Sequence, residues 1–266
     1  MPVATSSNSY AELINRYSSP SKKRVLAEGD SWFAYPKKYF ILGGDSNIID
    51  HLADRNDLLI YNTSSNGDEA VNMLSGDQKI SLLKRLSYNS FDYLLFSGGG
   101  NDIVGKYDFD FFIRKYESGY SWLDCIDQGR INLKLEQIKL TYKILCQLTQ
   151  EFSQNESIKI VTHTYDIARP VEKGFELFDV IPLGKSWMHP YLVKKGITQP
   201  EIQEAIVHHL LKSLKDALLE VQSEYPILQV VDTQGLLNDE QWLNEIHPNS
   251  EGFGIIADKI YNEALS

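Results

Sequence analysis

The stretch RVLAEGDSW, residues 24–32, joins a run of apolar residues to a short polar motif. Residues 24–28 favour a β-strand that stops at Gly29, because a short apolar run bounded by a turn residue is typical of a buried strand. The polar motif GDSW, residues 29–32, follows directly. In sheets made of parallel strands, ligands bind beyond the carboxyl ends of the strands. The motif therefore stands where a functional site is expected if the rest of the chain forms such a sheet.

Four further apolar runs along the chain have the same length and character. Between them lie stretches whose apolar residues recur at helical spacing. This alternation indicates a parallel sheet covered on both faces, because parallel neighbours need crossover connections. The sequence therefore predicts an α/β fold, a three-layer α/β/α sandwich with a five-stranded parallel sheet. The further strands are expected at residues 58–61, 93–96, 158–162 and 227–231, and the helices at 10–17, 47–55, 69–74, 78–86, about 132–152, 200–225 and 250–264.

The whole chain, residues 1–266, is expected to form one domain. Its length allows one or two domains, but no repeat, low-complexity tract or linker marks a boundary. Residues 168–198 contain three prolines and three glycines and show no clear period. We expect this stretch to be an insertion or a lid within the domain.

The charge of the chain is acidic, with 26 Lys and Arg against 36 Asp and Glu, a net charge of −10. Such a chain repels phosphate backbones, so nucleic-acid binding is not expected. No apolar run approaches the roughly 18 residues of a membrane span. Residues 1–24 lack the apolar stretch of a secretory signal, which predicts a cytoplasmic protein, with a processed secreted form as the alternative. Cys125 and Cys146 are expected to be free thiols, because a chain of this size needs no disulfide.

Three more polar motifs stand at comparable places in the chain. NTSSNG (62–67) follows the second predicted strand, GGGND (98–102) follows the third, and NEIHPNSEG (244–252) leads into the last helix. Each motif alone is weak evidence. Together with GDSW, and in this order, they resemble the SGNH hydrolases, also called GDSL esterases or lipases. The resemblance covers residues 28–252 and implies a flavodoxin-like SGNH hydrolase fold and a carboxylic ester hydrolase that needs no cofactor.

The chemistry of ester hydrolysis explains these residue types independently. A serine hydroxyl needs a base within hydrogen-bond reach, and histidine suits this task because its ordinary pKa is about 6.5. Ser31 is therefore the candidate nucleophile and His247 the candidate base. Attack on an ester carbonyl creates an oxyanion, which needs fixed hydrogen-bond donors. The resemblance supplies these donors as the backbone N–H groups of Ser31 and Gly67 and the side-chain amide of Asn101.

The sequence departs from the family pattern at Asn244, which stands three residues before His247 where the family has an aspartate. A carboxylate there would orient the imidazole and stabilise its cation. Three carboxylates are candidates to replace it: Asp232 after the fifth strand, Glu245, and Asp166 after the fourth strand. We prefer Asp232 as the acid, because its strand leads into the histidine loop. Glu245 is expected to be a solvated surface residue.

Several other residues adjoin these motifs. Asp30 and Asp102 are expected to cap turns or helix starts rather than to react. His163 and His189 match no recognised metal-ligand spacing, so no metal site is predicted. A group of large side chains has two open interpretations, an acyl pocket or ordinary core packing. Its members are Trp32, Phe33, Tyr35, Trp122, Trp187 and Met188.

The sequence thus predicts a serine-dependent ester hydrolase acting through an acyl-enzyme on a small-molecule, lipid or carbohydrate ester. Neither the acyl and alcohol parts of the substrate nor the oligomeric state follows from the residues. The alternative is a binding protein on the same fold that has lost turnover, for which Asn244 is the sole argument. Against it, the joint presence of Ser31, Gly67, Asn101 and His247 would be unnecessary for simple binding.

Overall fold

A parallel sheet of five strands forms the centre of the computed structural model, which describes residues 3–35, 47–172, 176–177, 181–182 and 186–266. Within these residues a separate antiparallel hairpin of two short strands accompanies it. The sheet contains β1 (Lys23–Gly29), β2 (Leu58–Asn62), β3 (Tyr93–Ser97), β4 (Lys159–His163) and β7 (Leu228–Val231), and the hairpin contains β5 (Glu176–Leu177) and β6 (Ile181–Pro182).

The strands lie where the apolar runs predict them, with boundaries that differ by about one residue. The last five residues of β1 and the last four of β3 are buried, because helices cover the sheet. The order across the sheet is β2-β1-β3-β4-β7, and each neighbouring pair is parallel. The five-stranded parallel sheet of the prediction is confirmed.

Helices flank the sheet and account for most of the remaining regular structure in the described residues. The helices α8 and α10, each 25 residues long, pack against each other, and α3 packs against α11. The class of the fold is therefore α/β, as predicted. The helices are α1 (Ser7–Tyr17), α2 (Ser31–Ala34), α3 (Ile48–Ala53), α4 (Ala70–Met73), α5 (Gly76–Tyr88), α6 (Gly100–Val104), α7 (Lys106–Phe112), α8 (Gln128–Phe152), α9 (His189–Lys194), α10 (Pro200–Glu224) and α11 (Ser250–Ile260), with a 3₁₀ turn at Asp239–Gln241 and a π-helical turn at Tyr261–Leu265.

The strand order reverses between β1 and β3, which lie side by side although β2 separates them in the chain. Gly29 at the end of β1 is in register with Ser97 at the end of β3. In doubly wound sheets such a reversal opens a crevice beyond the strand ends, where ligands bind. Two short helices, α2 and α6, begin at this crevice directly after β1 and β3.

Parts of the molecule differ from the sequence-based expectation. The short helices α2, α6 and α7 were not predicted, because too few residues are involved to show a helical period. The stretch 168–198 contains the β5-β6 hairpin and α9, so it is not wholly irregular. Residues 173–175, 178–180 and 183–185 of this stretch lie outside the described residues, and its role as an insertion or lid stays a prediction.

Two other expectations concern the thiols and the membrane. Cys125 and Cys146 are both free and buried, as predicted. Among the helices of the described residues, not one combines the length and the apolar character that crossing a bilayer requires. The division of the chain into a single domain, 1–266, stays a prediction.

Candidate active site

Ser31 and His247 meet at the carboxyl edge of the sheet. The Oγ atom of Ser31 lies 2.8 Å from Nε2 of His247. Ser31 is the first residue of α2, which starts there because the Asp30 carboxylate accepts the N–H of Trp32 and so caps the helix. His247 stands in the loop before α11. Both side chains are buried, with 3% of each residue exposed.

Asn244 contacts the other nitrogen of the imidazole. Its Oδ1 atom lies 3.1 Å from Nδ1 of His247 and also accepts the backbone N–H groups of Ile246 and His247, at 3.2 and 2.9 Å. Because backbone N–H groups only donate, the atom that faces them must be the amide oxygen. The Nδ1 atom of His247 must then carry the ring proton. Nε2 keeps a lone pair, which can accept the proton of the Ser31 hydroxyl.

Among the described residues, two aromatic side chains cover the imidazole of His247. The ring of Tyr35 lies 4.3 Å from it, and the ring of Trp187 meets it edge to face at 5.5 Å and 80°. The Tyr35 hydroxyl also accepts a hydrogen bond of 3.2 Å from Nδ2 of Asn244. Burial lowers the pKa of His247 to about 3, because the charged ring would lose its hydration. The imidazole is therefore neutral near pH 7, the form that a general base requires.

A small cavity adjoins Ser31. Its volume of about 20 Å³ is little more than the space that one water needs. The space beside Ser31 is therefore small in the described part of the chain. The cavity is lined by Asp30, Ser31, Trp32, Gly100, Asn101, Val104, Tyr165, Asp166, Ala168, Leu211 and Ile246.

Two of the three predicted oxyanion donors belong to this cavity. The backbone N–H of Ser31 donates to no acceptor among the described residues. Nδ2 of Asn101 donates one hydrogen to the carbonyl of Asp68 at 2.8 Å, which leaves its second hydrogen available. Gly67 lies in an exposed loop with φ +88°, outside the cavity lining, and its role stays a prediction.

Asp232, the acid preferred from the sequence, does not contact His247. Its carboxylate pairs with Lys215 and accepts hydrogen bonds from Thr164 Oγ1 at 3.1 Å and from the N–H of Gln234 at 3.2 Å. The reason is the position of β7 at the edge of the sheet, where its end faces α10, the helix that carries Lys215. The preference for Asp232 is therefore wrong, and Asn244 itself is the third residue of the arrangement.

Glu245 is buried and not solvated, contrary to the expectation. Only 1% of the residue is exposed, and its carboxylate accepts the backbone N–H groups of Trp187, Met188 and His189, the last two at 2.8 and 2.7 Å. Burial raises its pKa to about 7, and the three N–H groups oppose this rise. Glu245 therefore joins the loop of His247 to the start of α9.

Asp166, the third candidate acid, likewise holds a loop. Its carboxylate accepts the backbone N–H groups of Ile167, Gly235 and Leu237 at 2.6, 2.5 and 2.7 Å. Asp102 accepts the N–H of Ala70 at 2.8 Å, so it satisfies the start of α4, in agreement with the predicted capping role. None of these carboxylates hydrogen-bonds to His247 in the described part of the chain.

A second serine–histidine contact, which the sequence did not reveal, lies behind the first. Oγ of Ser97 lies 3.0 Å from Nε2 of His163 and donates to Oδ1 of Asp30 at 2.9 Å. The hydroxyl of Tyr165 donates to the other carboxylate oxygen at 2.6 Å. Ser97 and His163 are the last residues of β3 and β4, so the polar strand ends were a usable signal.

This second cluster is fully buried, which affects its titratable groups. Burial lowers the pKa of His163 to about 3 and raises the pKa of Asp30 to about 6, although hydrogen bonds from Tyr165, Trp32 and Ser97 oppose the latter. The ring of Trp32 stacks on His163 at 5.2 Å. His163 therefore supports the segment that carries Ser31. No group of metal-ligating side chains is found in the described ranges.

Of the six large side chains that the sequence left open as acyl pocket or core, three lie at the site and three do not. Trp32 lines the cavity, and Tyr35 and Trp187 cover His247. Phe33 and Met188 are core residues, and Trp122 packs on His209 away from the cavity. Besides Trp32, the cavity lining has apolar residues that the sequence did not single out: Val104, Ala168, Leu211 and Ile246.

Comparison with known proteins gives a likeness in structure. No protein-family model and no curated protein matches the sequence. A protein named as a GDSL-like lipase from Parabacteroides merdae has 14% identity and a TM-score of 0.56, over 92% of this chain and 97% of that chain. The lipase Lip_vut3 from a goat rumen metagenome has 14% identity and a TM-score of 0.55, over 91% and 98%. The acetyl xylan esterase AlAXEase has 14% identity and a TM-score of 0.51, over 91% and 100%.

Proposed function

We propose that this chain, which has the fold of the SGNH hydrolases, is a serine-dependent carboxylic ester hydrolase. The observation that carries the proposal is the 2.8 Å contact between Ser31 Oγ and His247 Nε2. Asn244 Oδ1 places the ring proton on the opposite nitrogen, so this contact has the polarity of a nucleophile and its base.

The reaction proceeds in two halves. Ser31 Oγ attacks the ester carbonyl carbon while His247 Nε2 takes the hydroxyl proton. The tetrahedral oxyanion accepts hydrogen bonds from the Ser31 N–H and from the free hydrogen of Asn101 Nδ2. Its collapse breaks the bond to the alcohol, which leaves with the proton from His247. Water then attacks the acyl-Ser31 ester, again with His247 as base, and the carboxylic acid leaves.

Asn244 should limit the rate of this reaction. Its oxygen holds the correct tautomer of His247, but a neutral amide does not stabilise the imidazolium as a carboxylate does. With a pKa of about 3 for the buried ring, proton transfer from Ser31 is also less favourable than to an ordinary histidine. We therefore expect real but slow turnover, best on esters with good leaving groups.

The substrate class follows from the fold and the site only in outline. The structural neighbours include lipases and an acetyl xylan esterase, which favours a lipid or carbohydrate ester. The rival function is binding without turnover, which Asn244 alone favours. Binding needs neither a hydrogen-bonded Ser31–His247 pair nor the unpaired N–H of Ser31 beside it.

Covalent labelling tests the proposal. A fluorophosphonate probe should add once to the wild-type protein, as measured by intact-mass spectrometry, and should not add to Ser31→Ala. Ser97→Ala is the matched control, because it removes another buried serine that contacts a histidine, and it should still be labelled. Hydrolysis of p-nitrophenyl esters with two to eight acyl carbons should follow the same pattern. An unlabelled wild-type protein, or a labelled Ser31→Ala protein, would refute the mechanism.

A further inference from the structure

Glu245 lies between Asn244 and His247, yet its side chain serves neither of them. Its carboxylate is buried and accepts three consecutive backbone N–H groups, those of residues 187–189. Three convergent donors on one carboxylate form a strong, specific anchor, because hydrogen bonds to an ionised acceptor exceed neutral ones in strength. The partners lie 56 to 58 residues earlier in the chain, so this anchor is a tertiary contact.

The first anchored residue, Trp187, is one of the two aromatic covers of His247. Its ring meets the imidazole edge to face at 5.5 Å, while Tyr35 lies on the ring at 4.3 Å. Trp187 has no other ring contact among the described residues, and its backbone is held here by Glu245. The position of this cover therefore depends on the carboxylate two residues before the base.

We propose that Glu245 is a positioning residue for His247: its carboxylate holds Trp187 over the imidazole, which shields the ring from water and keeps it in the neutral form that accepts a proton. The inference rests on the proposed function in that it takes His247 to be the base. It extends that function by assigning a residue outside the Ser31–His247–Asn244 arrangement.

The two oxygens of the Glu245 carboxylate fit the three donors. The two oxygens accept all three N–H groups and present no hydrogen of their own. A glutamine at this position keeps one acceptor oxygen but points its NH₂ group at a backbone N–H. Two donors then face each other in a buried place, and the segment 187–189 moves to relieve the contact.

The environment of His247 predicts a measurable consequence. Burial is the cause that lowers its pKa to about 3, so admitting water should return the pKa toward its ordinary value of about 6.5. No cation or carboxylate hydrogen-bonds to the imidazole in the described part of the chain. The elements around the site carry the titratable groups Tyr35 after α2, Glu245 in the loop of His247, His189 at the start of α9, and Asp30 and Asp166 in the lining of the cavity beside Ser31.

Titration of His247 by NMR tests the inference without requiring activity. The protein contains six histidines, and a His247→Gln protein identifies the resonance. In the wild type the ring should stay neutral down to about pH 4. In Glu245→Gln and in Trp187→Ala the midpoint should rise by at least one pH unit. The exposed Glu240 provides a matched control in the same part of the chain, and Glu240→Gln should leave the midpoint unchanged.

The rate of fluorophosphonate labelling at Ser31 should fall at low pH. The midpoint of this fall should rise by the same amount in both variants. A folded Glu245→Gln protein with an unchanged His247 midpoint overturns the inference, as does an unchanged midpoint in Trp187→Ala.

If Glu245→Gln does not fold, amide exchange in the wild type decides whether the anchor exists. Slow exchange at residues 187–189 supports the anchor, and exchange at the rate of a free peptide overturns it. If no variant, including the wild type, is labelled, the proposed function fails while the titration still decides the role of Glu245.

Discussion

Two serine–histidine pairs lie at the same end of the sheet, and their chemistry is opposite. Ser31 contacts His247 at 2.8 Å, and Ser97 contacts His163 at 3.0 Å. In both pairs the serine oxygen faces Nε2, both histidines are buried, and burial lowers the pKa of each to about 3. Distance, burial and pKa therefore do not distinguish a reactive pair from a structural one.

The difference lies at the far nitrogen of each ring. Nδ1 of His247 faces the amide oxygen of Asn244 and must donate, so Nε2 accepts from Ser31. Nδ1 of His163 accepts the backbone N–H of Tyr165 at 3.3 Å, so Nε2 carries the proton and donates to Ser97. The hydroxyl of Ser97 in turn gives its hydrogen to Asp30. The atom that faces Nδ1 thus decides what Nε2 does: in His247 it can accept a proton, and in His163 it donates one.

The two pairs should differ most in how activity responds when the serine of each pair is replaced by alanine. Ser31→Ala should lower kcat by about 10⁶, since loss of the nucleophile in a comparable serine hydrolase has that effect. Ser97→Ala should change kcat less than about tenfold, but it leaves Asp30 and His163 each short of a buried partner. We expect it to lower the free energy of unfolding by about 1–3 kcal/mol. Ester kinetics and urea unfolding of both variants provide the measurements; equal kinetic losses would show that the second pair also takes part in the reaction.

Asn101 tests a second difference between the pairs, because among the described residues Ser31 lines a cavity together with Asn101 and Ser97 does not line that cavity. Asn101→Ala should lower kcat by about 10²–10³, or roughly 3–4 kcal/mol, with little change in KM, since an oxyanion forms only in the transition state. The lost bond to the carbonyl of Asp68 should lower stability by only about 1 kcal/mol. Steady-state kinetics with a melting curve decide the matter. An unaltered kcat in a less stable protein would reduce Asn101 to a structural role.

Asn244→Asp is expected to change the rate less than Ser31→Ala or Asn101→Ala, and it tests the role of the residue that faces Nδ1 of His247. A carboxylate keeps the tautomer of His247 and adds a charge that stabilises the imidazolium, so we expect a gain in kcat of about tenfold. The gain is smaller than the 10⁴ known for the reverse change in a protease, because part of that loss came from a wrong tautomer. The hydroxyl of Tyr35 is placed to donate to the new carboxylate oxygen.

The same variant changes the pH profile. In the wild type kcat/KM should stay level down to about pH 4, because the pKa of His247 is about 3. An aspartate favours the charged ring and raises this pKa, so the acid limb of Asn244→Asp should move toward pH 6 or above. An unmoved limb would mean that position 244 has no electrostatic influence on the imidazole.

The fold was predictable because buried parallel strands are nearly continuous apolar runs, and each of the five runs is such a strand. The closeness of Ser31, His247 and Asn101 was predictable as well, since they follow strands or lead into a helix at one edge of the sheet. The short helices at the crevice were not, because α2 and α6 have only four and five residues. The start of α2 depends on the cap that Asp30 forms, and α6 follows Gly99 without a side-chain cap, so neither start follows from a repeating pattern.

The carboxylates were the least predictable part of the site. Asp232 was preferred because its strand leads into the histidine loop, and Glu245 was expected to be solvated, but their partners are Lys215 on α10 and the backbone of residues 187–189. Backbone N–H groups occur at nearly every residue, so no side-chain pattern marks the three that Glu245 accepts. Asn244, which looked like a defect in the sequence, is instead held in one orientation by the N–H groups of Ile246 and His247.

The Ser31–His247 contact joins residues 216 positions apart in the chain. Synthesis at about 5–20 residues per second places roughly 10 to 40 s between the appearance of the two side chains. During that interval Ser31 has no base and is an ordinary alcohol. Its neighbouring strand β3 is synthesised much earlier, since Gly29 and Ser97 are 68 positions apart. Under the proposed function, reactivity toward esters therefore requires the last segment of the chain, although the strands on either side of the crevice are synthesised well before it.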